Sequence, residues 1–285
     1  MRVKCLKLLV IGAALASHAS GCAGTSRDTR RAQTRLDLAK DLLSKGEDAA
    51  AETEARKALN YDSSLAEAYD VLGLVFVTRA YSNTQLIERD DCLEGVDAES
   101  LRQEADDHMR HAGEQFQKAT EVDANYGEGW QNRAVAAMYF KDWDKAIEYE
   151  EKALTILERL SSPQLARANL GWAYYQKQNY PRAQAELLQS IKGAGFFCLA
   201  HYRLAEVLFA RKDFEAAKER IDPLVGVPNA KQCPPIQEAQ ALGGQIALRL
   251  HDREGATKAF TTCVDVAPKS CKARECKKAL AELAP

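Results

Sequence analysis

The sequence predicts an all-α protein, a right-handed α-solenoid of six helical hairpins with a C-terminal capping helix. Small and apolar residues recur at helical spacing on both sides of short polar turns, most clearly in Ala168–Ile191 around Asn179-Tyr180-Pro181. This pattern returns with a period of about 34 residues, which is typical of stacked helix pairs. Glycine and proline are sparse, at 16 and 8 of 285 residues, as an all-helical chain requires.

Residues 1–21 have the organisation of a bacterial lipoprotein signal peptide. Three basic residues within the first seven precede the apolar run Leu8–Ala16, which is too short to span a bilayer. Small residues then lead to Cys22, whose thiol would take the lipid after cleavage. We therefore expect lipidation of Cys22 and a flexible tether over residues 22–31. An ordinary signal peptide with a chance cysteine is the alternative.

The residue after Cys22 bears on the destination of the protein. The signal resembles those of bacterial lipoproteins, and in that class Ala23 in place of an aspartate implies the outer membrane. Several acyl chains would hold the protein there, facing the periplasm, without a spanning helix.

Residues 32–285 divide into six units and a terminal helix. The first unit has Ala39, Ala51 and Ala58 at the three places where the tetratricopeptide (TPR) pattern has small residues. Small side chains are needed at these places because the two helix backbones approach closely. The six hairpins are predicted at 32–65, 66–126, 127–160, 164–197, 198–231 and 237–270, and the polar helix 271–285 caps the open end.

The second hairpin contains an insertion at about residues 81–107. Its second helix arrives late, with Ala112 and Phe116 as its first matching core residues. We expect Tyr81–Val96 to form a loop and Asp97 to cap a lengthened helix. Insertions of this length are often functional.

The first helices of such hairpins line the concave face of the solenoid. Several of the inward places carry large apolar side chains, which a water-facing groove does not need. Each such side chain would contribute about 1.5–3 kcal/mol when a bound polypeptide covers it. Alternatively, the insertion or the tether folds back and fills the groove. The predicted partner-binding residues are Leu74, Val77, Val135, Met138, Trp172, Tyr175, Tyr202 and Phe209, with Leu36 and Leu43 at the N-terminal end.

Eight cysteines suit an oxidising compartment. We expect two disulfides, each joining helix ends that the hairpin register places side by side. Cys271 is an alternative partner in either bond, Cys92 has no obvious partner, and some of the cysteines could instead be small packing residues. The expected pairs are Cys198 with Cys233, which open adjacent hairpins, and Cys263 with Cys276, across the turn before the last helix.

No motif in the chain predicts catalysis. It has no glycine-rich phosphate loop and no HExxH sequence. His108 and His111 are spaced to share a metal ion, but an exposed polar helix face explains them equally well. The net charge of −2 gives no basic stripe for nucleic acid. We therefore expect a protein that is not an enzyme, without cofactor, metal, nucleic acid or small-molecule substrate.

Three segments carry a resemblance to a known family: LDLAKDLLSKGEDAAAETEARKAL, ARANLGWAYY and CVDVAPKSCKAREC. With the lipidation signal, they resemble the type IV pilus secretin pilotins, the TPR lipoproteins of the Tgl and PilF/PilW class. The resemblance implies an outer-membrane protein that binds secretin subunits and promotes their localisation and multimer assembly, and hence pilus-dependent motility. The alternative is a general envelope scaffold for barrel-assembly or peptidoglycan enzymes.

Overall fold

The computed structural model describes residues 26–194, 197–225 and 233–283. These residues form thirteen α-helices and no strand. The predicted signal peptide and Cys22 lie outside the described residues. Within the described ranges, no helix combines the length and the apolar character needed to cross a membrane.

Helices that follow one another in the chain pack against one another, so the hairpins stack in sequence order. This arrangement is the predicted α-solenoid. The six hairpins and the last helix have these bounds: α1 (Ser26–Ser44) with α2 (Asp48–Tyr61), α3 (Ala66–Gln85) with α4 (Val96–Val122), α5 (Gly127–Tyr139) with α6 (Trp143–Leu154), α7 (Pro163–Gln176) with α8 (Tyr180–Ala194), α9 (Cys198–Ala210) with α10 (Phe214–Ile221), α11 (Gln237–Arg249) with α12 (Arg253–Val266), and α13 (Cys271–Leu283).

Small residues allow the helices of one hairpin to approach closely. A Cβ atom added to Gly171 on α7 would lie 2.7 Å from Cγ of Leu187 on α8. Ala183 is fully buried at the same contact. The Ser190 hydroxyl donates a hydrogen bond of 2.6 Å to the Gln164 carbonyl oxygen, which ties the far end of the pair. The sequence pattern of small residues therefore reports helix contact distance.

The turn inside a hairpin combines a left-handed residue with a capping side chain. After α7, Gln178 has φ 58°, and the Asn179 N–H donates to the Tyr174 carbonyl oxygen at 2.9 Å. This geometry satisfies carbonyl groups that the helix end would otherwise leave unpaired. In three other hairpins the residue just before the second helix is an aspartate whose side chain accepts a hydrogen bond from a backbone N–H of the first turn. These N-cap residues are Asp142, Asp213 and Asp252.

The insertion is more helical than expected. The segment Tyr81–Val96 is not all loop, because α3 continues through its first residues and a π-helical turn follows at Leu86–Asp90. Gly95, with φ 80°, precedes the first residue of α4, so the expectation that Asp97 caps this helix is wrong. We call residues Leu86–Gly95, between α3 and α4, the strap.

Three disulfides link the described cysteines. One of them was not expected and joins Cys92 in the strap to Cys271 at the start of α13, across 179 positions of sequence. The repeat pattern could not assign Cys92, because the strap belongs to no hairpin. The other two bonds are the pairs expected from the hairpin register, Cys198 with Cys233 and Cys263 with Cys276.

Candidate functional site

The eight predicted groove residues lie on the first helices of hairpins two to five, and all of them are half-buried. They are therefore neither fully solvated nor sealed in the core. Leu36 differs, because it is only 1% exposed and packs with Val71 and Leu72 of α3. The expectation that Leu36 faces the groove is wrong, since α3 covers that side of α1.

The N-terminal half of the predicted groove is partly committed to internal packing. Leu74 and Val77 pack against the buried cluster that contains Met109 and Phe116. Met138 packs against a second cluster, which joins α5, α6 and α7. These residues have less area left for a partner than their positions in the repeat suggest. Tyr175, Tyr202 and Phe209 in the C-terminal half are committed in the same way, since they pack against the buried cluster that extends from α7 to α11.

Aromatic side chains on α7 form the centre of the site. The rings of Trp172 and Tyr175 stack with centroids 5.0 Å apart, and Tyr175 also contacts Tyr180 at 5.9 Å. The Arg203 guanidinium lies 5.4 Å from the centre of the Trp172 ring, within cation–π range. The site therefore combines half-buried, mutually stacked aromatic rings with a positive charge.

A chain of hydrogen bonds fixes Arg203 in this position. Its Nη1 atom donates to Asn169 Oδ1 at 2.9 Å, and Asn169 Nδ2 donates to Glu150 Oε1 at 2.9 Å. Glu150 is fully buried, and this burial raises its pKa well above the ordinary value, against the Asn169 hydrogen bond and the Arg203 charge. Burial also lowers the pKa of Arg203 to about 10. An arginine held in this way is oriented before any ligand arrives.

Glu206 is a site residue that the sequence reasoning missed. It lies one helical turn after Arg203, between Tyr202 and Phe209 on the same stripe of α9. That spacing was the available signal, but a search for apolar side chains passed over it. In the described part of the chain its Oε2 atom is buried and accepts no hydrogen bond.

The surroundings of Glu206 explain why its pKa is raised. Burial raises the pKa of Glu206 to about 7, and the negative charge of Glu238 on α11 adds to this increase. A hydrogen bond from Tyr202 and the positive charges of Arg203 and Lys272 oppose it. Groups from α9, α11 and α13 therefore converge on one carboxylate, which places these three helices around a common space.

The end of α3 reaches the same space. Tyr81 continues the stripe of Asp70, Leu74 and Val77 at helical spacing. Tyr81 keeps 50% of its surface exposed, and the positive charge of Arg203 is near enough to act on its hydroxyl. Because α3 and α9 belong to hairpins two and five, the start of the insertion lies on the same side of the stack as α9.

His108 and His111 stack on Phe76, with ring centroids 6.2 and 5.4 Å away. His111 Nδ1 also lies 2.8 Å from the Asp107 carbonyl oxygen. The described ranges contain no group of three or more His, Cys, Asp or Glu side chains arranged to hold a metal ion. Packing on an aromatic ring accounts for both histidines.

No protein-family model matches the chain, and no curated protein matches it either. Solved structures do. PilF of Pseudomonas aeruginosa superposes with a TM-score of 0.65 at 18% identity, over 89% of this chain and 100% of that one. PilW, a widely conserved type IV pilus biogenesis factor, gives 0.61 at 17% identity, over 86% and 97%. YrrB, a TPR protein with an unusual peptide-binding site, gives 0.50 at 18% identity, over 80% and 94%. This likeness shows that the fold is a TPR α-solenoid.

Proposed function

We propose that this chain is an outer-membrane TPR lipoprotein, anchored through Cys22 and facing the periplasm, which acts as a pilotin for secretin assembly in type IV pilus biogenesis. In this proposal its concave face binds an exposed apolar segment of an unassembled secretin subunit. The observation that carries the proposal is the half-buried aromatic surface of Trp172 and Tyr175, beside an Arg203 side chain that is already oriented. Support also comes from PilF and PilW, which share the fold over nearly their whole length.

The energetics of such a complex are reasonable. The half-buried rings have only part of their surface left to cover, so each would gain less than the about 1.5–3 kcal/mol that a fully exposed side chain gains. Association costs roughly 4–15 kcal/mol in lost freedom. Four or five covered side chains therefore offset at most the lower end of this cost, which gives a weak complex and suits a partner that must later be released. A lipid anchor raises the local concentration at the membrane and compensates for weak contacts.

Arg203 and Glu206 give the site polar selectivity. The guanidinium would donate to carbonyl oxygens of the bound segment, while Glu206 Oε2 would accept one of its N–H groups. Each group is costly to bury without a partner, so a ligand that pairs both gains more than one that covers them with apolar atoms. Release would follow when assembled subunits bury the same segment against one another.

The experiment is a replacement of the cellular copy by the full-length chain carrying Trp172→Ala and Tyr175→Ala. The measured quantity is the amount of detergent-resistant secretin multimer, normalised to the amount of this protein in the membrane fraction. Leu188→Ala is the matched control, because Leu188 is 40% exposed on α8, the outer helix of the same hairpin.

We expect at least a tenfold loss of multimer in the double variant and no change in the control. Normal multimer in the double variant, at normal protein amount, would overturn the proposed site. Co-purification from detergent extracts separates the two functional alternatives. Recovery of secretin subunits supports the pilotin role, whereas recovery of barrel-assembly or peptidoglycan enzymes without secretin would contradict it.

A further inference from the structure

A cleft on the outer side of the solenoid is formed by α4 and α6, with α5 at its base. Because α4 and α6 are the second helices of their hairpins, the cleft opens away from the concave face. Its volume is about 310 Å³, at the lower end of the range of roughly 300–1,000 Å³ for small-ligand sites. Met109 and Ala136 are buried at its base, and the Phe140 ring is 43% exposed at its edge. We call this space, bounded by Gly113 and Arg133, the outer cleft.

Gly113 keeps the α4 wall of the outer cleft open. It lies in the interior of α4, where glycine is less favourable than alanine because it loses more backbone freedom on folding. A Cβ atom added to Gly113 would meet only the Cβ atom of Ala136, at 3.6 Å, which is an ordinary van der Waals contact. At Gly171, by contrast, an added Cβ atom would lie 2.7 Å from Cγ of Leu187. Helix packing therefore requires Gly171 but does not require Gly113, whose missing side chain leaves space for a ligand.

Arg133, on the α5 side of the outer cleft, is a charged residue at a place that the repeat otherwise fills without charge. It is half-buried and directly precedes Ala134, the small residue of the first helix in hairpin three. The corresponding residues of the other hairpins are Leu38, Leu72, Leu170, Leu204 and Gly243. The TPR fold therefore does not depend on a positive charge at this place.

Neutral groups hold Arg133 in a fixed orientation. Its Nη1 atom donates to the Thr120 hydroxyl at 3.0 Å, and its Nη2 atom donates to the Tyr149 hydroxyl at 3.1 Å. The guanidinium also lies 4.8 Å from the centre of the Trp130 ring and 4.3 Å from the centre of the Tyr149 ring. No carboxylate in the described part of the chain forms an ion pair with it. Because a guanidinium has several further N–H donors, Arg133 can still bind an acceptor in the outer cleft.

Two other hairpins show the kind of partner that is absent from the outer cleft. Arg35 of hairpin one donates to Glu54 at 2.9 Å, and Arg167 of hairpin four donates to Glu186 at 2.8 Å. Both glutamates lie three residues after a fully buried alanine of the second helix, and in hairpin three this place is Tyr149. A first-helix arginine thus meets a carboxylate in two hairpins and a neutral hydroxyl in hairpin three.

The charges around the outer cleft favour a single carboxylate as the ligand. Arg110 pairs with Asp107 at 2.6 Å, and Lys145 pairs with Asp142 at 2.8 Å. Among the described residues that line the cleft, Arg133 is therefore the positive charge without a carboxylate partner. One such charge matches a carboxylate better than a phosphate group, which carries about −1.5 to −2 charges at pH 7.

We propose that the outer cleft binds a glutamate side chain of another polypeptide, together with an apolar residue next to that glutamate. Arg133 donates to the carboxylate, and the Tyr149 hydroxyl, which accepts from Arg133, donates its own hydrogen to the same group. The apolar neighbour covers Phe140 and the base of the cleft. The bound glutamate thus has the role that a glutamate of the same chain has in hairpins one and four. The cleft lies apart from the concave face, so the proposal does not rest on the pilotin function.

The first test measures the binding of two blocked peptides to the full-length chain by isothermal titration calorimetry. The probes are acetyl-Leu-Glu-Leu-amide and acetyl-Leu-Gln-Leu-amide, which differ in the charge of the central side chain. We expect the glutamate peptide to bind at least tenfold more tightly, because a hydrogen bond to a charged group contributes about a factor of ten or more in affinity. Equal affinities, or no binding of the glutamate peptide at millimolar concentration, would overturn the proposal. Competition by an equal concentration of inorganic phosphate would also overturn it, since the cleft would then be a general anion site.

The second test locates the binding of the glutamate peptide with three variants. Arg133→Leu introduces the residue that four other hairpins carry, and Gly113→Met fills the cleft with a good helix former while the charge stays in place. Arg167→Leu is the matched control, because it removes an arginine that already has a carboxylate partner. We expect each of the first two variants to weaken binding at least tenfold and the control to leave it unchanged. Unchanged binding in Arg133→Leu or in Gly113→Met, or an equal loss in the control, would contradict the inference.

Discussion

Glu206 offers the sharpest test of how the concave face is built. Its carboxylate is surrounded by Tyr202 and Arg203 on its own helix, Glu238 on α11 and Lys272 on α13. Replacement by glutamine keeps the shape and removes the charge. We predict that Glu206→Gln stabilises the protein at pH 8 and has a much smaller effect at pH 5.

The sign and size of this stability change follow from the pKa of Glu206. The pKa of Glu206 rises from 4.5 to about 7 on folding, chiefly because burial disfavours the charged form. As pH rises through this window the unfolded chain loses the proton first, so the contribution of Glu206 to stability falls between about pH 4.5 and pH 7 and stays low above it. One pKa unit corresponds to about 1.4 kcal/mol, which gives a total loss of up to about 3 kcal/mol.

The assay is urea unfolding of wild type and Glu206→Gln at pH 5 and pH 8, followed by circular dichroism. Between these pH values we expect the wild type to lose about 2–3 kcal/mol more of its unfolding free energy than the variant does. Glu219→Gln, at an exposed position on α10, is the control and should show the wild-type pH dependence. Parallel pH profiles of the unfolding free energy for wild type and Glu206→Gln would refute the description of this carboxylate as buried with a raised pKa.

Three further predictions concern the scaffold. Gly171→Leu should destabilise the protein by about 1–3 kcal/mol in thermal unfolding, because its Cβ would meet a leucine of α8 at 2.7 Å; unchanged stability would contradict the close helix contact. Asp70→Ala should cost about 1–3 kcal/mol in urea unfolding, since the Tyr126 hydroxyl loses the shorter of its two hydrogen bonds, at 3.1 Å, and the Asn132 amide loses its acceptor at 2.8 Å; a neutral effect would contradict a stabilising role for these two bonds. Cys263→Ser/Cys276→Ser should lower the unfolding free energy by about 3 kcal/mol under oxidising conditions, as the chain-entropy account predicts for a 13-residue separation, and a loss below about 1 kcal/mol would contradict that account.

The sequence was most informative where local spacing determines structure. The positions of small residues predicted the hairpins because a close helix contact tolerates only small side chains, as at Gly171 and Ala183. The Cys198–Cys233 and Cys263–Cys276 disulfides could be predicted for a related reason, since a regular stack places hairpin ends at known distances. The last helix, α13, covers Cys271–Leu283, within the range predicted for a polar capping helix.

The sequence was least informative where distant segments meet. Nothing local to Cys92 indicates Cys271, because their approach depends on the curvature accumulated over four hairpins and on the path of the strap. Leu36 has the periodicity of a groove residue, yet α3 covers it. Glu206 was missed since its importance comes from burial by helices that lie far apart in the chain, which an apolar pattern does not reveal.

The central claim is that the concave face around Trp172 and Tyr175 holds a segment of another polypeptide. It is tested most directly by placing a photoreactive phenylalanine analogue at position 175 of the full-length chain, irradiating cells, and identifying the cross-linked peptides by mass spectrometry. The account predicts a cross-link to an apolar segment of a secretin subunit, absent when the analogue is at position 188 on the outer helix. Cross-links confined to the strap of the same chain, or equal yields at both positions, would contradict it.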